Sequence, residues 1–465
     1  MLYYGPSGEF AFMAKGKDAP DKVPIDTVSC RVASAIDKEK LRWNLMNPEE
    51  RVSAFSKEGF LVLDDEEFLR TSVLKEGWEE MSKTLKTPRN TATKWRGHMK
   101  DLAGDKAADK AVMLEEFHPD KLPEIYGFST YFGVLKTEEL ARAILNAKRI
   151  NDMFLRPWSI NLADPPRAVK TMARMLIPKL QKLMREGGDG KIWMVSIDWR
   201  HYFHQFEAGG YLKRFFGLAI NDERGEQRYY TWKNLPMGWS WAPYVAQCLG
   251  WHFLLFYNPR FGKKAHEMDS PPMFVETKDQ DGLVFLYIDN VHGYFTSREA
   301  AVLFIKGVLR NMKYYNVAEK YIYLDGQPLK YSAPEMNDME EFHKAPGKDL
   351  EHITLVNAVD KDGKELPKEK PSALGLEFEV EPPYGVRLVP DKVEKLPETL
   401  EQETIRCPRE AASLTGKILY LRSLNLEVQA RSRHLVLLLS QAGKYVSQQG
   451  GIKAWDDKNY HTTLT

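Results

Sequence analysis

KIWMVSIDWRHYFHQF at 191–206 and LVFLYIDNVHGYFT at 283–296 are the two stretches on which the fold of this chain turns. Lys191 to Asp198 reads as a buried strand that ends on a carboxylate. Leu283–Ile288 and Val291–Thr296 are apolar-rich runs separated by Asp289-Asn290, two residues that tolerate left-handed backbone, so the spacing predicts a hairpin with an acid at its tip. If the two strands are neighbours, Asp198 and Asp289 converge at one edge of a sheet. Two such carboxylates can hold a pair of divalent ions roughly 3.5–4 Å apart, and oxygen ligands suit Mg²⁺. Either Asp alone is weak evidence, because an Asp at a strand end or turn is usually a turn former or cap.

Outward from this centre, Pro165–Arg185 has helical period, with Val169, Met172, Met175 and Leu176 on one side, and Gly187, Gly188 and Gly190 end it. Ala141–Asn146 is a short strand candidate. Pro48–Thr84 reads helical in parts, and Gly104–Ala111 reads as a linker or exposed helix. Asp325–Lys370 is polar and is expected to be an insertion or mobile loop. Ala411–Leu426 and Gln429–Ala442 read as a helical pair, with Leu414, Ile418 and Leu421 apolar on the first and Leu435, Leu438 and Leu439 on the second.

The 465 residues are 43% hydrophobic and 12% aromatic, enough for a large core and contrary to a disordered chain. No run approaches the ~18 apolar residues of a membrane span, and no secretory leader pattern is visible. Cys30, Cys248 and Cys407 lie far apart without metal-ligand spacing, which fits cytosol or nucleus rather than secretion. The net charge of +1 is uninformative, but its distribution is uneven. Ser82–Lys100 carries six basic residues and no acid, and Thr404–Trp455 carries eight basic residues against Glu410 and Glu427. A lone basic run is more often a solvated face. These two gain meaning only if the middle of the chain handles phosphates.

The order of motifs resembles the reverse-transcriptase family, nearest to retrotransposon enzymes of the LTR/gypsy or DIRS type. IDWRHYFHQF resembles its first palm motif, LPMGWSWAPYVAQ (235–247) its Leu-Pro-x-Gly motif and FLYIDN its Tyr-x-Asp-Asp box. RAILNAKRIN (142–151) resembles the fingers motif and NVAEK (316–320) the motif carrying a lysine near the active site. ALGLEFEV (373–380) resembles the primer-grip strand and SLTGKILYLRSL (413–424) the first thumb helix. The resemblance spans about Gly133 to Gly443. It implies an α+β right-hand polymerase: fingers and an antiparallel palm at 126–389 with a polar insertion near 325–372, a helical basic thumb at 390–450, a tail at 451–465, and an N-terminal extension at 1–125 of unassigned function.

It also implies an RNA-directed DNA polymerase taking an RNA or DNA template, a DNA primer and deoxynucleoside triphosphates, with two Mg²⁺ ions, or Mn²⁺, held by Asp198 and Asp289. Arg142 and Lys136 fall where the family contacts the triphosphate. Phe203 takes the place of the gate against a ribose 2′-hydroxyl. Met237 and Gly238 would lie beneath the nucleotide, Tyr287 near the primer terminus, and Leu374 and Gly375 in the grip. Lys320 is the candidate general acid for leaving pyrophosphate. Lys94, Arg96, Arg422, Arg431 and Arg433 are candidate backbone contacts.

Three departures stand out. Asn290 replaces the box's second aspartate, which predicts weaker metal binding and a shift toward Mn²⁺. Tyr202 stands where a small residue is common, and Trp241 is unusually large for its place. Two other readings remain open: a catalytically weakened nucleic-acid-binding scaffold, favoured by Asn290, and an RNA-dependent RNA polymerase, which Phe203 argues against. No second nuclease constellation follows the thumb. Ribonuclease H, integrase and protease, if used, are expected on another chain or beyond the sequence given.

Overall fold

The computed structural model describes residues 2–4, 10–12, 19, 22–26, 31–46, 54–104, 113–262, 268–337, 348–390, 404–421, 433–449, 452–460 and 462–463. The fold is α+β, and the chain divides into two compact units, 16–162 with 195–367 and 1–15 with 163–194 and 368–465. No helix among the described residues is long and apolar enough to cross a membrane.

In the first unit, β1 (Tyr131–Leu135) and β2 (Ala141–Leu145) form a hairpin in which Val134 faces Arg142. β3 (Trp193–Trp199) carries Asp198 and runs into the short helix α1 (Tyr202–Gln205). β4 (Gly217–Asn221) and β5 (Gln227–Trp232) pair antiparallel. Next come α2 (Ala242–Leu255), the strands β6 (Phe274–Glu276), β7 (Gly282–Tyr287) and β8 (Asn290–Phe295), and α3 (Arg298–Tyr315). β9 (Glu319–Leu324), β10 (Gln327–Ser332) and β11 (Thr354–Asn357) follow. The main sheet has the order β6-β7-β8-β3-β9-β10-β11. The expected adjacency is therefore present: the hairpin β7–β8 lies directly beside β3.

The hairpin strands are apolar on both faces because both faces are covered. Leu283, Val284, Phe285 and Leu286 are all buried, as is nearly every residue of α2. Each such side chain contributes roughly 1.5–3 kcal/mol. α2 starts with proline in its first turn, and α3 is capped by Ser297, whose Oγ accepts from the Ala300 N–H, and closed by Asn316 at φ +57°. The helix Ala54–Asp64 packs on α2, where a Cβ on Gly59 would lie 3.0 Å from Cys248 Cβ.

The polar stretch 325–370 is not a loop throughout. β10 and β11 extend the main sheet at its edge, and they read as polar because most of their side chains are solvated. The N-terminal region is stitched into the same unit. Ser34 and Ile36 donate N–H bonds to the carbonyls of His204 and Gln205, and Asp37 donates to Tyr315. Ile25 pairs in parallel with Ala141 of β2.

In the second unit the expected single helix 165–185 is two, Pro165–Met175 and Ile177–Arg185. The break follows from Pro178, which lacks an N–H and crowds the preceding turn. Ser372–Ala373, Leu376–Glu379 and Gly385–Leu388 make a small antiparallel sheet. Pro408–Leu421 and Arg433–Gln448 form the expected helical pair around Ile405, Ala411, Leu414, Ala442 and Tyr460. Residues 452–460 and 462–463 belong to this unit, with Thr462–Thr463 pairing antiparallel to Thr404–Ile405.

Candidate active site

The hairpin places Asp289 in a way the sequence did not suggest. Tyr287 pairs with Asn290, so the two loop residues are Ile288 and Asp289 rather than Asp289 and Asn290. Ile288 takes φ +59°, a conformation costing a β-branched residue of order 1–3 kcal/mol. Gln247 on α2 holds it there. Its fully buried amide accepts from the Ile288 N–H at 2.8 Å and donates to the Leu286 carbonyl at 2.9 Å. From the other side, the Trp199 N–H donates to the Asp289 carbonyl at 2.9 Å. The loop is thus clamped between α2 and the strand bearing Asp198.

The Asp289 carboxyl senses the Asp198 charge. Burial pushes the Asp289 carboxyl up to about 6, with the neighbouring Asp198 charge adding to the rise and Lys320 and Arg142 opposing it. Asp198 is also raised by burial, while Lys320, hydrogen bonding from Tyr321 and Asn290, and finally Lys136 pull it back. Tyr321 faces Asp198 across β3–β9, and the register shifts between Glu319 and Tyr321, leaving Lys320 in an exposed bulge beside the two acids.

The donor set suits hard divalent cations: two adjacent carboxylates that ionise reluctantly without a counter-charge, and the Oδ1 of Asn290, buried with no hydrogen-bond partner. No group of three or more His, Cys, Asp or Glu side chains gathers among the described residues, so any ions here would share Asp198 and Asp289.

Around this pair, Phe203 is half-buried on α1 and Tyr287 half-buried at the hairpin end. Arg142 lies exposed on β2. Lys136, at the foot of the β1–β2 loop, is ion-paired to Asp26 at 2.7 Å. Met237 and Gly238 are tied to β2, with the Met237 carbonyl accepting from the Leu145 N–H. Gly238 is required by its backbone neighbour: at φ +120°, a Cβ would stand 2.2 Å from the Leu145 carbonyl oxygen. Asn151, the last residue of the fingers motif, donates to the Gly238 carbonyl and accepts from the Ser240 N–H. Gln205 bonds the Arg200 and Ala318 carbonyls and the Ala318 N–H, anchoring the turn before Lys320. Asn151, Gln205 and Gln247 stand inside the quoted motifs, and that position was the only sequence signal for them.

Neither unusual residue crowds the site. Tyr202 is buried against Trp199 and donates to the Ala246 carbonyl, in space left by Gly250. Trp241 is buried, with its indole N–H on the Leu155 carbonyl. Arg96 donates to the Asn221 carbonyl, whereas Lys94 is exposed over the Trp95 ring. In the second unit, Leu374 and Gly375 form a two-residue hairpin loop, both at positive φ, between Ala373 and Leu376. Arg422 and Arg431 lie outside the described residues, as does the side chain of Arg433 at the start of its helix.

No protein-family model matches the chain. No curated protein matches it either. Among solved structures it is similar to one described as the foamy viral protease-reverse transcriptase dRH in complex with ds DNA, at 11% identity and a TM-score of 0.42. That similarity covers 88% of this chain and 60% of the viral chain, less than two thirds of the latter's length. A likeness of this degree leaves the chemistry to be read from the site.

Proposed function

We propose that the chain is an RNA-directed DNA polymerase that extends a DNA primer with deoxynucleoside triphosphates by two-metal nucleotidyl transfer. The observation that carries this reading is the pair Asp198 and Asp289, held on neighbouring elements of one sheet and close enough for the Asp198 charge to raise the cost of ionising Asp289. Two Mg²⁺ or Mn²⁺ ions held by these acids would supply activation of the primer hydroxyl and charge relief at the leaving pyrophosphate. The protein's part is to present both carboxylates rigidly, through Gln247 and Trp199. Arg142 brings positive charge toward the triphosphate. Lys320, exposed in its bulge beside the two acids, would deliver a proton to pyrophosphate. Phe203 excludes a 2′-hydroxyl by bulk. The motif order from Arg142 to Gly375 supports the same reading.

The test is extension of a DNA primer on an RNA template with deoxynucleotides, beside an Asp289→Ala control. Extension that survives in the control, or that needs ribonucleotides, defeats the proposal. Nucleic-acid binding without extension would instead favour a scaffold. Asn290 supplies an amide where a second acid would add charge, so metal titration should show half-maximal activity at lower Mn²⁺ than Mg²⁺, and equal activity at low concentrations of both would refute this.

A further inference from the structure

The N-terminal segment puts an acid among the cations assigned above to the triphosphate. Residues 22–26 lie along β2: the Pro24 carbonyl accepts from the Ala141 N–H, and the Asp26 N–H donates to the Ala141 carbonyl. The next residue of β2 is Arg142. Asp26 is buried, its side chain only 9% exposed, with its Oδ2 lying 2.7 Å from Lys136 Nζ and 3.3 Å from His201 Nε2. His201 is three residues beyond Asp198 and feels both Lys136 and Arg142. Lys136 is turned toward Asp26, to which its ammonium donates.

We infer that Asp26 is an internal competitor for the triphosphate: it occupies the anion seat formed by Lys136, His201 and the neighbouring Arg142 and sets nucleotide affinity by having to yield Lys136. This rests on the function proposed above for the identity of the ligand, though the anion seat itself does not. A buried carboxylate on an ammonium is a strong charge-assisted bond, and a fixed negative charge beside an incoming polyphosphate also repels it. Both effects oppose binding and both vanish when the carboxylate is neutralised.

The experiment uses the full chain and two readouts: calorimetric binding of inorganic tripolyphosphate with Mg²⁺, and KM for deoxynucleotides in primer extension. Asp26→Asn, which keeps shape and the backbone pairing to Ala141, should tighten tripolyphosphate and lower KM about three- to tenfold. Asp26→Ala should do the same. In a Lys136→Met background, Asp26→Asn should tighten binding and lower KM by less than in the parent, because only the direct repulsion is then left to remove. Unchanged or weaker binding in both Asp26 variants, with thermal melts like the parent's, overturns the inference and makes Asp26 a positioning residue for Lys136. Tightened tripolyphosphate binding without any extension in the parent would keep the anion seat and discard the polymerase reading. Extension without tightening would do the reverse.

Discussion

Asp289 concentrates the chemistry of this molecule in one side chain. Its folded value of about 6 lies above the ordinary carboxylate value of about 4, so its ionisation opposes folding. Without metal, stability present below about pH 4 should therefore fall as pH climbs through 6. Asp289→Asn should flatten that fall in thermal melts and, in primer extension, reduce kcat by about a thousandfold or more. A melt profile of the variant that keeps the parent's slope would show that another group is responsible. Phe203 gives a second residue-scale test. Phe203→Val should raise the ratio of ribonucleotide to deoxynucleotide kcat/KM about 10- to 100-fold. An unchanged ratio would make Phe203 a packing residue.

At the scale of elements, the position of Asp289 depends on how a strained loop is clamped. Ile288 at positive φ persists because Gln247 satisfies both its N–H and the Leu286 carbonyl just before it. Gln247→Leu keeps much of the volume and removes both bonds. Leaving the Ile288 N–H and Leu286 carbonyl unpaired should cost about 1–3 kcal/mol each, and the loosened Asp289 should lower kcat about 10- to 100-fold with little change in KM. Denaturant unfolding and steady-state extension measure the two. A variant with full kcat would show that β7–β8 holds Asp289 unaided. The bulge at Lys320 has the same logic, since one residue without a partner on β3 sets a side chain apart from its pleat and beside the acids.

At the scale of the whole molecule, residues 22–26 and 31–46 are structural to the unit that bears the site. They bond to α1, β2 and the end of α3, and they bury Ile25, Val32, Ile36, Leu41 and Leu45. Removing residues 1–37 takes away three of those five side chains and backbone bonds worth about 1 kcal/mol each. The melting temperature should drop by about 10 °C or more. A truncated chain that melts like the parent would show the segment to be an accessory.

The sequence by itself determined the strand ending on Asp198, the apolar runs flanking Asp289, the helical pair after Pro408 and the order of motifs, because each is written in local periodicity and residue type. It misjudged 325–370, where solvated edge strands lose their apolar signal, and 165–185, where Pro178 broke a continuous pattern. It also misplaced the hairpin loop by one residue, since Ile288 is not a residue whose type announces left-handed backbone. Only the tertiary structure decided that β3 lies beside β7–β8, that Gln247 reaches from α2 to the loop, and that Asp26 meets Lys136 across more than a hundred residues of chain. Such facts depend on which surfaces pack together, and burial, charge proximity and hydrogen-bond reach exist only once they have.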